Sequence, residues 1–489
     1  MKAEKFTDAI GMLEDDLIAE AEQTRKKHKS KRRLWGRLVA AAACVCVVLA
    51  CVFGNSGTGG GNAYALAEVE YPEMAPYPNE ADFTDEKTGV FDDEGFLKAY
   101  DAWLEARQAQ YGQSIGYTDG LNGFFSATMQ QFLSGAGTEN RVYSPLNVYL
   151  ALSMLAEVTD GNTRQQIMDL LGEAQIESLR ERVSALWNAN YCEDGAVTSV
   201  LANSLWLDET VDFKQSTLDR LAKTYYASSY RGEMGSAEFT QALQDWLNEQ
   251  TGGLLQEQVS DMKLERQTIL ALASTIYFKA KWSSEFSESA TEAGTFHAID
   301  GDVTCDFMHQ SNSKNYFWGD GFSAVTQDLN ESGSMWLILP DEGVSVDDLL
   351  SDSAIMELIS TGNQLDGGWE NKKLLTVNLT MPKFDVVSDI DLKAGLEALG
   401  VTDVFDDASA DFSPLTPDID GIGLTSVKHA ARVMVDEEGC IAAAYTVMLR
   451  YGAPPPGDEV DFVLDRPFLF VITGADGLPL FAGVVNQPV

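Results

Sequence analysis

One segment, residues 437–446, limits the folds open to this chain more than any other. It consists of Glu437, Glu438, Gly439, Cys440, Ile441, Ala442, Ala443, Ala444, Tyr445 and Thr446. An acidic pair, a glycine and a run of small residues suit a hinge that is a loop in one state and a strand in another, because glycine permits unusual backbone angles. The alternative interpretation is a helix start or a linker, since alanine is the best helix former.

The order of side chains in this hinge fits entry into a packed sheet. Successive side chains of a strand point to opposite faces, so fixing one residue fixes all the others. If Cys440 faces inward, the inward set is Cys440, Ala442, Ala444, Thr446 and Met448, and the outward set is Ile441, Ala443, Tyr445 and Val447. The inward residues are small up to the last, and the ring of Tyr445 falls on the solvent side.

Further motifs follow one another along the chain. They lie at residues 144–171, 203–207, 246–253, 275–282, 335–340, 381–384, 391–393, 399–401, 410–413, 465–470 and 483–486. With the hinge, they resemble the serpin family of serine protease inhibitors from Tyr117 to Pro488. The resemblance implies an α+β serpin fold of about nine helices and three β-sheets, with an exposed reactive-centre loop at about residues 437–465.

The resemblance also implies a function, that of a suicide inhibitor of serine-type endopeptidases. In serpins a protease cleaves the loop, the hinge enters the central sheet as a new strand, and the protease stays covalently trapped. Such a protein is not an enzyme and uses no cofactor. The alternative is a non-inhibitory serpin that acts as a surface carrier or adhesion module; charged or proline residues within 439–446 would favour it, and the sequence has none there.

The family places polar residues under the centre of its main sheet, the shutter, and a tryptophan at the upper end, the breach. Ser144, Asn203 and His429 match the shutter, and Trp282 matches the breach tryptophan. Two positions differ: Asn147 stands where serine is usual, and Ser274 stands where asparagine is usual. The exchange either keeps the hydrogen bonds through other partners or changes how the sheet opens.

The bond that a protease would cut is harder to place. The family's usual loop length puts it between Ala453 and Pro454, but proline after the bond makes a poor substrate. The candidates are therefore Tyr451, Gly452, Ala453 and Pro454, with Met448, Leu449 and Arg450 ranked below them because they leave a shorter strand to insert. This window favours elastase-like or chymotrypsin-like targets.

The N-terminal region predicts a membrane anchor. A charge-free apolar run, residues 38–54, follows seven Lys and Arg residues between positions 26 and 37, an order that keeps the N-terminus in the cytoplasm. We predict a cytoplasmic tail (1–33), a transmembrane signal anchor (34–54), a flexible stalk with one helix (55–116) and an extracellular serpin domain (117–489), as in a prokaryotic-type, membrane-anchored member of the family. A cleaved signal peptide and a lipoprotein acylated at Cys51 are the alternatives.

Charge and composition restrict the partners. The net charge is −41, and residues 55–489 carry 24 basic against 68 acidic residues, which argues against nucleic acid because phosphates need Lys and Arg. The acidity serves either solubility or attraction to cationic partners. Three of the six Cys lie in the apolar run and the other three are scattered, and neither they nor the four His form a disulfide framework or a metal motif. We expect a monomer.

Overall fold

The structure, a computed structural model, describes residues 63–488 except 86, 261, 363–367, 418–422, 425–426 and 441–456. The predicted tail and anchor, residues 1–54, lie outside these ranges, as do all the candidates for the scissile bond. Within the described ranges, no helix combines the length and the apolar character needed to cross a membrane.

The described residues form eleven α-helices. They are α1 Asp93–Tyr111, α2 Asn122–Leu133, α3 Pro145–Val158, α4 Gly161–Leu171, α5 Ile176–Asn190, α6 Gln215–Tyr225, α7 Ala237–Gln250, α8 Gln256–Ser260, α9 Val346–Leu350, α10 Ala354–Thr361 and α11 Lys393–Ala398. The expectation of about nine helices is too low. Helix α1 precedes the region that resembles the serpins, and three of the eleven are short helices of five or six residues, α8, α9 and α11.

The described residues also form seventeen strands. They are β1 Ala65–Ala67, β2 Arg141–Tyr143, β3 Cys192–Glu193, β4 Val197–Asp208, β5 Ala227–Gly232, β6 Leu270–Lys281, β7 Glu292–Ala298, β8 Gly301–Gly319, β9 Phe322–Asp328, β10 Ser334–Pro340, β11 Lys372–Pro382, β12 Phe384–Asp391, β13 Lys428–Val435, β14 Gly439–Cys440, β15 Glu459–Val463, β16 Phe468–Thr473 and β17 Pro479–Val485.

These strands form two hydrogen-bonded sheets instead of the expected three. The first sheet has the order β1-β5-β4-β6-β14-β13-β12, and the second has the order β15-β11-β8-β9-β10-β16-β17-β2. The cause is β8, a strand of 19 residues. It pairs with β7 and β11 and, through its last residues, with β9, so it joins what would otherwise be two separate sheets.

Helix α3 lies under the first sheet and carries part of the predicted shutter. Its N-cap, Ser144, accepts a hydrogen bond from the backbone N–H of Asn147, and Pro145 occupies the first helical position, where its missing N–H costs nothing. The helix therefore begins at Pro145. Because α3 packs against both β6 and β17, it is buried along nearly its whole length.

The described residues ahead of α2, from residue 63 onward, pack against the domain, in contrast to the flexible stalk that the sequence predicts. Strand β1 pairs with the outer edge of β5, and the ring of Tyr71 lies 5.7 Å from that of Trp187 and 5.3 Å from that of Tyr191. Trp103 on α1 is buried. Aromatic side chains spaced along an otherwise polar, proline-rich segment explain the difference, because each buries a large apolar area against the domain.

Candidate functional site

The predicted hinge begins as a tight turn after β13. One oxygen of Asp436, Oδ1, accepts hydrogen bonds from the backbone N–H groups of Glu438 (3.0 Å) and Gly439 (3.1 Å). The N–H of Asp436 donates to the carbonyl of Gly439 across 3.2 Å. An aspartate that binds the backbone two and three residues ahead is a common way to reverse a chain, and here it turns β13 back into β14.

Strand β14, Gly439–Cys440, lies between β13 and β6 and pairs with both. Gly439 pairs with Lys281, and Cys440 pairs with Ala280 on one side and with Val435 on the other. A Cβ atom at Gly439 would lie 2.4 Å from the carbonyl oxygen of Ala280, so the close approach of the two backbones itself requires glycine. The rest of the hinge, residues 441–446, lies outside the described residues.

The side chain of Cys440 points to the inner face of the sheet. It is buried and lies opposite Val435. Along β13 the buried residues alternate, and they are His429, Ala431, Val433 and Val435. Counting by twos from Cys440 therefore continues along the face that these four residues share.

A slot lies between β6 and β13 below β14. Among the described residues, the two strands are joined only through β14. A cleft of about 790 Å³ lies at this position, lined by residues of both strands, of α3 beneath and of α7 above, including Asn147, Leu247, Ser274 and His429. The sheet thus has room beside β6 for a longer strand than the two residues of β14.

Trp282, the predicted breach residue, holds the turn of the hinge. Its indole Nε1 donates to the carbonyl of Asp436 across 2.9 Å, and its backbone N–H donates to the carbonyl of Glu438 across 3.0 Å. The side chain is buried. Trp282 therefore forms hydrogen bonds to the turn at two residues, Asp436 and Glu438, in addition to packing in the core.

Glu437 is fixed by partners that the sequence analysis did not identify. Its carboxylate accepts hydrogen bonds from Lys383 Nζ (2.7 Å) and Thr291 Oγ1 (2.8 Å). Burial alone would raise the pKa of Glu437, but these hydrogen bonds lower it below its usual value, and the same contact raises the pKa of Lys383. Nothing in the local sequence links residues so far apart in the chain.

The predicted shutter residues on α3, β4 and β6 meet through Ser274. Its Oγ donates to Oδ1 of Asn203 across 2.7 Å and also contacts Oδ1 of Asn147. Asn147 returns a bond from Nδ2 to the carbonyl of Ser274 at 3.1 Å, and Asn203 Nδ2 donates to the carbonyl of Tyr225 at 2.8 Å. The two unusual residues, Asn147 and Ser274, thus bind each other.

His429 completes the shutter from β13. Its Nε2 accepts a hydrogen bond from the backbone N–H of Ser144 at 3.0 Å, and because an N–H can only donate, the ring proton lies on Nδ1. Burial lowers the pKa of His429 from 6.5 to about 4. The ring is therefore neutral at pH 7, and it links α3 to the far side of the slot.

The two ends of the predicted loop belong to different sheets. Its N-terminal end is β14 in the first sheet, and its C-terminal end leads into β15, which pairs in parallel with β11 in the second sheet. The scissile-bond candidates between these ends lie outside the described residues. A cut in the loop would leave each new end attached to its own sheet.

Other reactive groups are scarce in the described structure. Cys192, Cys305 and Cys440 are all buried free thiols. Within the described ranges, no three His, Cys, Asp or Glu side chains are arranged to hold a metal ion.

Comparisons with known proteins agree on one family. The sequence pattern described as Serpin (serine protease inhibitor) matches residues 120–488. Serpin-ZX of Arabidopsis thaliana is 30% identical over 371 residues, which are 71% of this chain and 92% of that protein.

Solved structures show the same likeness. The native state of the thermophilic serpin tengpin aligns with a TM-score of 0.67 at 25% identity, over 76% of this chain and 95% of tengpin. The native stressed conformation of Arabidopsis AtSerpin1 aligns with a TM-score of 0.63 at 27% identity, over 77% of this chain and 99% of that structure.

Proposed function

The chain belongs to the serpin family, a family of protease inhibitors and not of catalysts, and we propose that it inhibits serine-type endopeptidases as a suicide substrate. The protease serine attacks the scissile carbonyl in the loop, and the C–N bond breaks. The amine leaves with the β15 side, while the acyl group stays on the protease and on the hinge side. Insertion of the hinge then pulls the acyl-enzyme away from β15.

Trapping needs the captured protease to lose its ability to hydrolyse the ester. Deacylation depends on an oxyanion hole and a general base that are held in place, and misplacing either costs orders of magnitude in rate. Mechanical displacement therefore suffices, and the inhibitor supplies no catalytic group.

The pairing of β14 with β6 and β13 is the observation that supports this proposal. Gly439 pairs with Lys281, and Cys440 pairs with Ala280. Because the two strands are antiparallel, each further residue of the hinge pairs with the preceding residue of β6. Continued to Thr446, this pairing places it opposite Ser274. The same count from the pair of Cys440 and Val435 brings Thr446 opposite His429. Two independent registers thus lead the hinge to the shutter.

The inward residues of the hinge also suit the slot. By the same count Ala442 and Ala444 would lie opposite Val433 and Ala431, which are buried. Small side chains can enter beside such residues with little rearrangement, because a packed core tolerates little added volume. A non-inhibitory role as a carrier or adhesion module does not require this match.

We also propose the target class and the location. Cleavage in the window 451–454 would suit elastase-like or chymotrypsin-like proteases. The basic flank and apolar run ahead of residue 55 support a single-pass anchor with the inhibitory domain outside the cell, as in a membrane-anchored serpin of a prokaryote.

Mixing the protein with elastase-, chymotrypsin- and trypsin-type proteases tests the function. We expect a covalent complex that survives denaturing electrophoresis with at least one of the first two, and mass spectrometry of the released loop fragment would locate the cut. A protease whose serine is replaced by alanine is the control and should give no complex. Clean cleavage of the loop in every case, with no complex and no rise in melting temperature, would contradict inhibition and favour the carrier role.

A further inference from the structure

Helix α1 lies outside the part of the chain that matches the serpin pattern, residues 120–488, yet it reaches the end of the sheet where the hinge enters. Two of its side chains, Trp103 and Arg107, are buried there. A charged side chain is seldom buried unless it is paired and hydrogen-bonded. The partners of Arg107 therefore indicate its role.

The guanidinium of Arg107 spans two parts of the molecule. Its Nη1 donates to Oδ2 of Asp194 across 3.1 Å, and its Nη2 donates to the backbone carbonyl of Glu331 across 2.6 Å. Asp194 follows β3 in the first sheet, whereas Glu331 lies in the turn between β9 and β10 of the second sheet. One buried cation therefore joins the two sheets, which the planar fork of arginine suits better than lysine.

Asp194 connects Arg107 to the start of β4 in the first sheet. Its Oδ1 accepts hydrogen bonds from the backbone N–H groups of Ala196 (3.0 Å) and Val197 (2.9 Å), while Trp103 Nε1 donates to Oδ2 at 3.0 Å. Val197 pairs with Ala280, and Ala280 pairs in turn with Cys440 of the hinge. The chain of contacts thus runs from Arg107 to Cys440 in the hinge.

The turn at Glu331 also contacts the end of β6 that pairs with β14. The N–H of Asn330, the preceding residue, donates to the carbonyl of Lys281 across 2.7 Å. Lys281 is the residue that pairs with Gly439. The two residues of β14 therefore pair with Lys281 and Ala280, and both of these residues are linked to Arg107 through Glu331 or Asp194.

We propose that Arg107 is a positioning residue for strand insertion: by joining Asp194 to Glu331 it fixes the end of β6 that pairs with Gly439–Cys440. These contacts are made with the hinge seated, so they favour that arrangement over any in which β4 and the turn at Glu331 move apart. The proposal rests on the proposed function for its purpose. The seating of β14 itself can be measured without a protease.

The test uses Cys440 as a reporter in the full-length protein. Cys440 is buried while β14 is seated, and Cys305, in β8, is buried elsewhere. The protein is treated with iodoacetamide, and the rate of alkylation at each cysteine is measured by peptide mass spectrometry. We expect Arg107→Ala to raise the rate at Cys440 at least tenfold and to leave the rate at Cys305 within twofold; Arg107→Lys should fall between it and the wild type.

Arg180→Ala is the matched control, because Arg180 also binds a buried carboxylate, that of Glu157 at 2.8 Å, but on helices away from the hinge. It should change neither rate by more than twofold. An unchanged rate at Cys440 in Arg107→Ala, an equal rise at Cys305, or an equal rise in Arg180→Ala would each overturn the positioning role. Complex formation with proteases is scored separately, so failure of the inhibitory function and failure of this role give different results.

Discussion

The backbone N–H of Ser144 donates to Nε2 of His429, and this single bond ties the N-terminus of α3 to the strand on the far side of the slot. Both residues are buried. The bond exists only while the imidazole is neutral, because a protonated ring has no acceptor nitrogen.

Stability should therefore fall in acid. With the pKa of His429 near 4 in the folded protein, against 6.5 ordinarily, the unfolded chain takes up a proton first as the pH drops. The contribution is complete above about pH 6.5 and is lost progressively down to about pH 4, with about 2 kcal/mol gone at pH 5. Urea midpoints at pH 7, 6 and 5 would measure it. His429→Gln keeps an acceptor but cannot titrate, so its midpoint should depend less on pH; equal dependence in both proteins would contradict the assignment.

Removing the charge of Glu437 should loosen the start of the hinge. Glu437→Gln weakens the contact with Lys383 at 2.7 Å and should lower the free energy of unfolding by about 1–2 kcal/mol, the lower part of what hydrogen bonds to charged groups contribute, because the Lys383 side chain is 38% exposed. A double-mutant cycle with Lys383→Met, followed by urea denaturation, separates the pair from its surroundings. Strictly additive effects would show that the two side chains do not interact.

Gly439→Ala should unseat β14, because its new Cβ would meet the carbonyl oxygen of Ala280 at 2.4 Å. We expect slower formation of the protease complex, by tenfold or more, and faster alkylation of Cys440. Gly457→Ala, at the other end of the loop and with no atom within 4 Å of its new Cβ, is the control and should behave like the wild type. Equal rates of complex formation and of Cys440 alkylation in the two variants would contradict a close backbone approach at Gly439.

Arginine on the inward face of the hinge should turn the inhibitor into a substrate. Ala442→Arg and Thr446→Arg would each bury an unpaired charge on insertion, which is strongly unfavourable. We expect the number of inhibitor molecules consumed per trapped protease to rise at least tenfold. Ala443→Arg, on the outward face, should change this ratio little, and a reversed order would contradict the alternation that Cys440 begins.

The predicted topology has its own test. Protease added to intact cells should release the domain while the tail, residues 1–33, stays protected. Cleavage of the tail from outside would reverse the orientation, and release of the domain without added protease would favour a cleaved signal peptide.

Local sequence suffices to propose a hinge at residues 437–446, because the acidic pair, the glycine and the small residues are neighbours. The alternation beyond Cys440 stays a prediction, since residues 441–456 lie outside the described residues. The mutual hydrogen bonding of Asn147 and Ser274 was one of two outcomes left open, because 127 positions separate them and only the fold brings them together.

The misjudged parts depended on distant contacts. A segment with Pro72, Pro76 and Pro78 and many acidic residues has the composition of a linker. It packs because the rings of Tyr71 and Trp103 find partners on the domain, while Tyr77 packs on Trp103 within the segment. The partners of Glu437 and Arg107 were missed for the same reason. Ion pairs across more than fifty positions leave no periodic signal in a single sequence.

The length of β6 sets a distance for the proposed reaction. The strand has 12 residues and at about 3.3 Å per residue extends about 40 Å. A hinge that paired along all of it would carry its cut end from beside β15 to the opposite end of the first sheet. A protease joined to that end would be left at the other pole of the molecule from where it first docked.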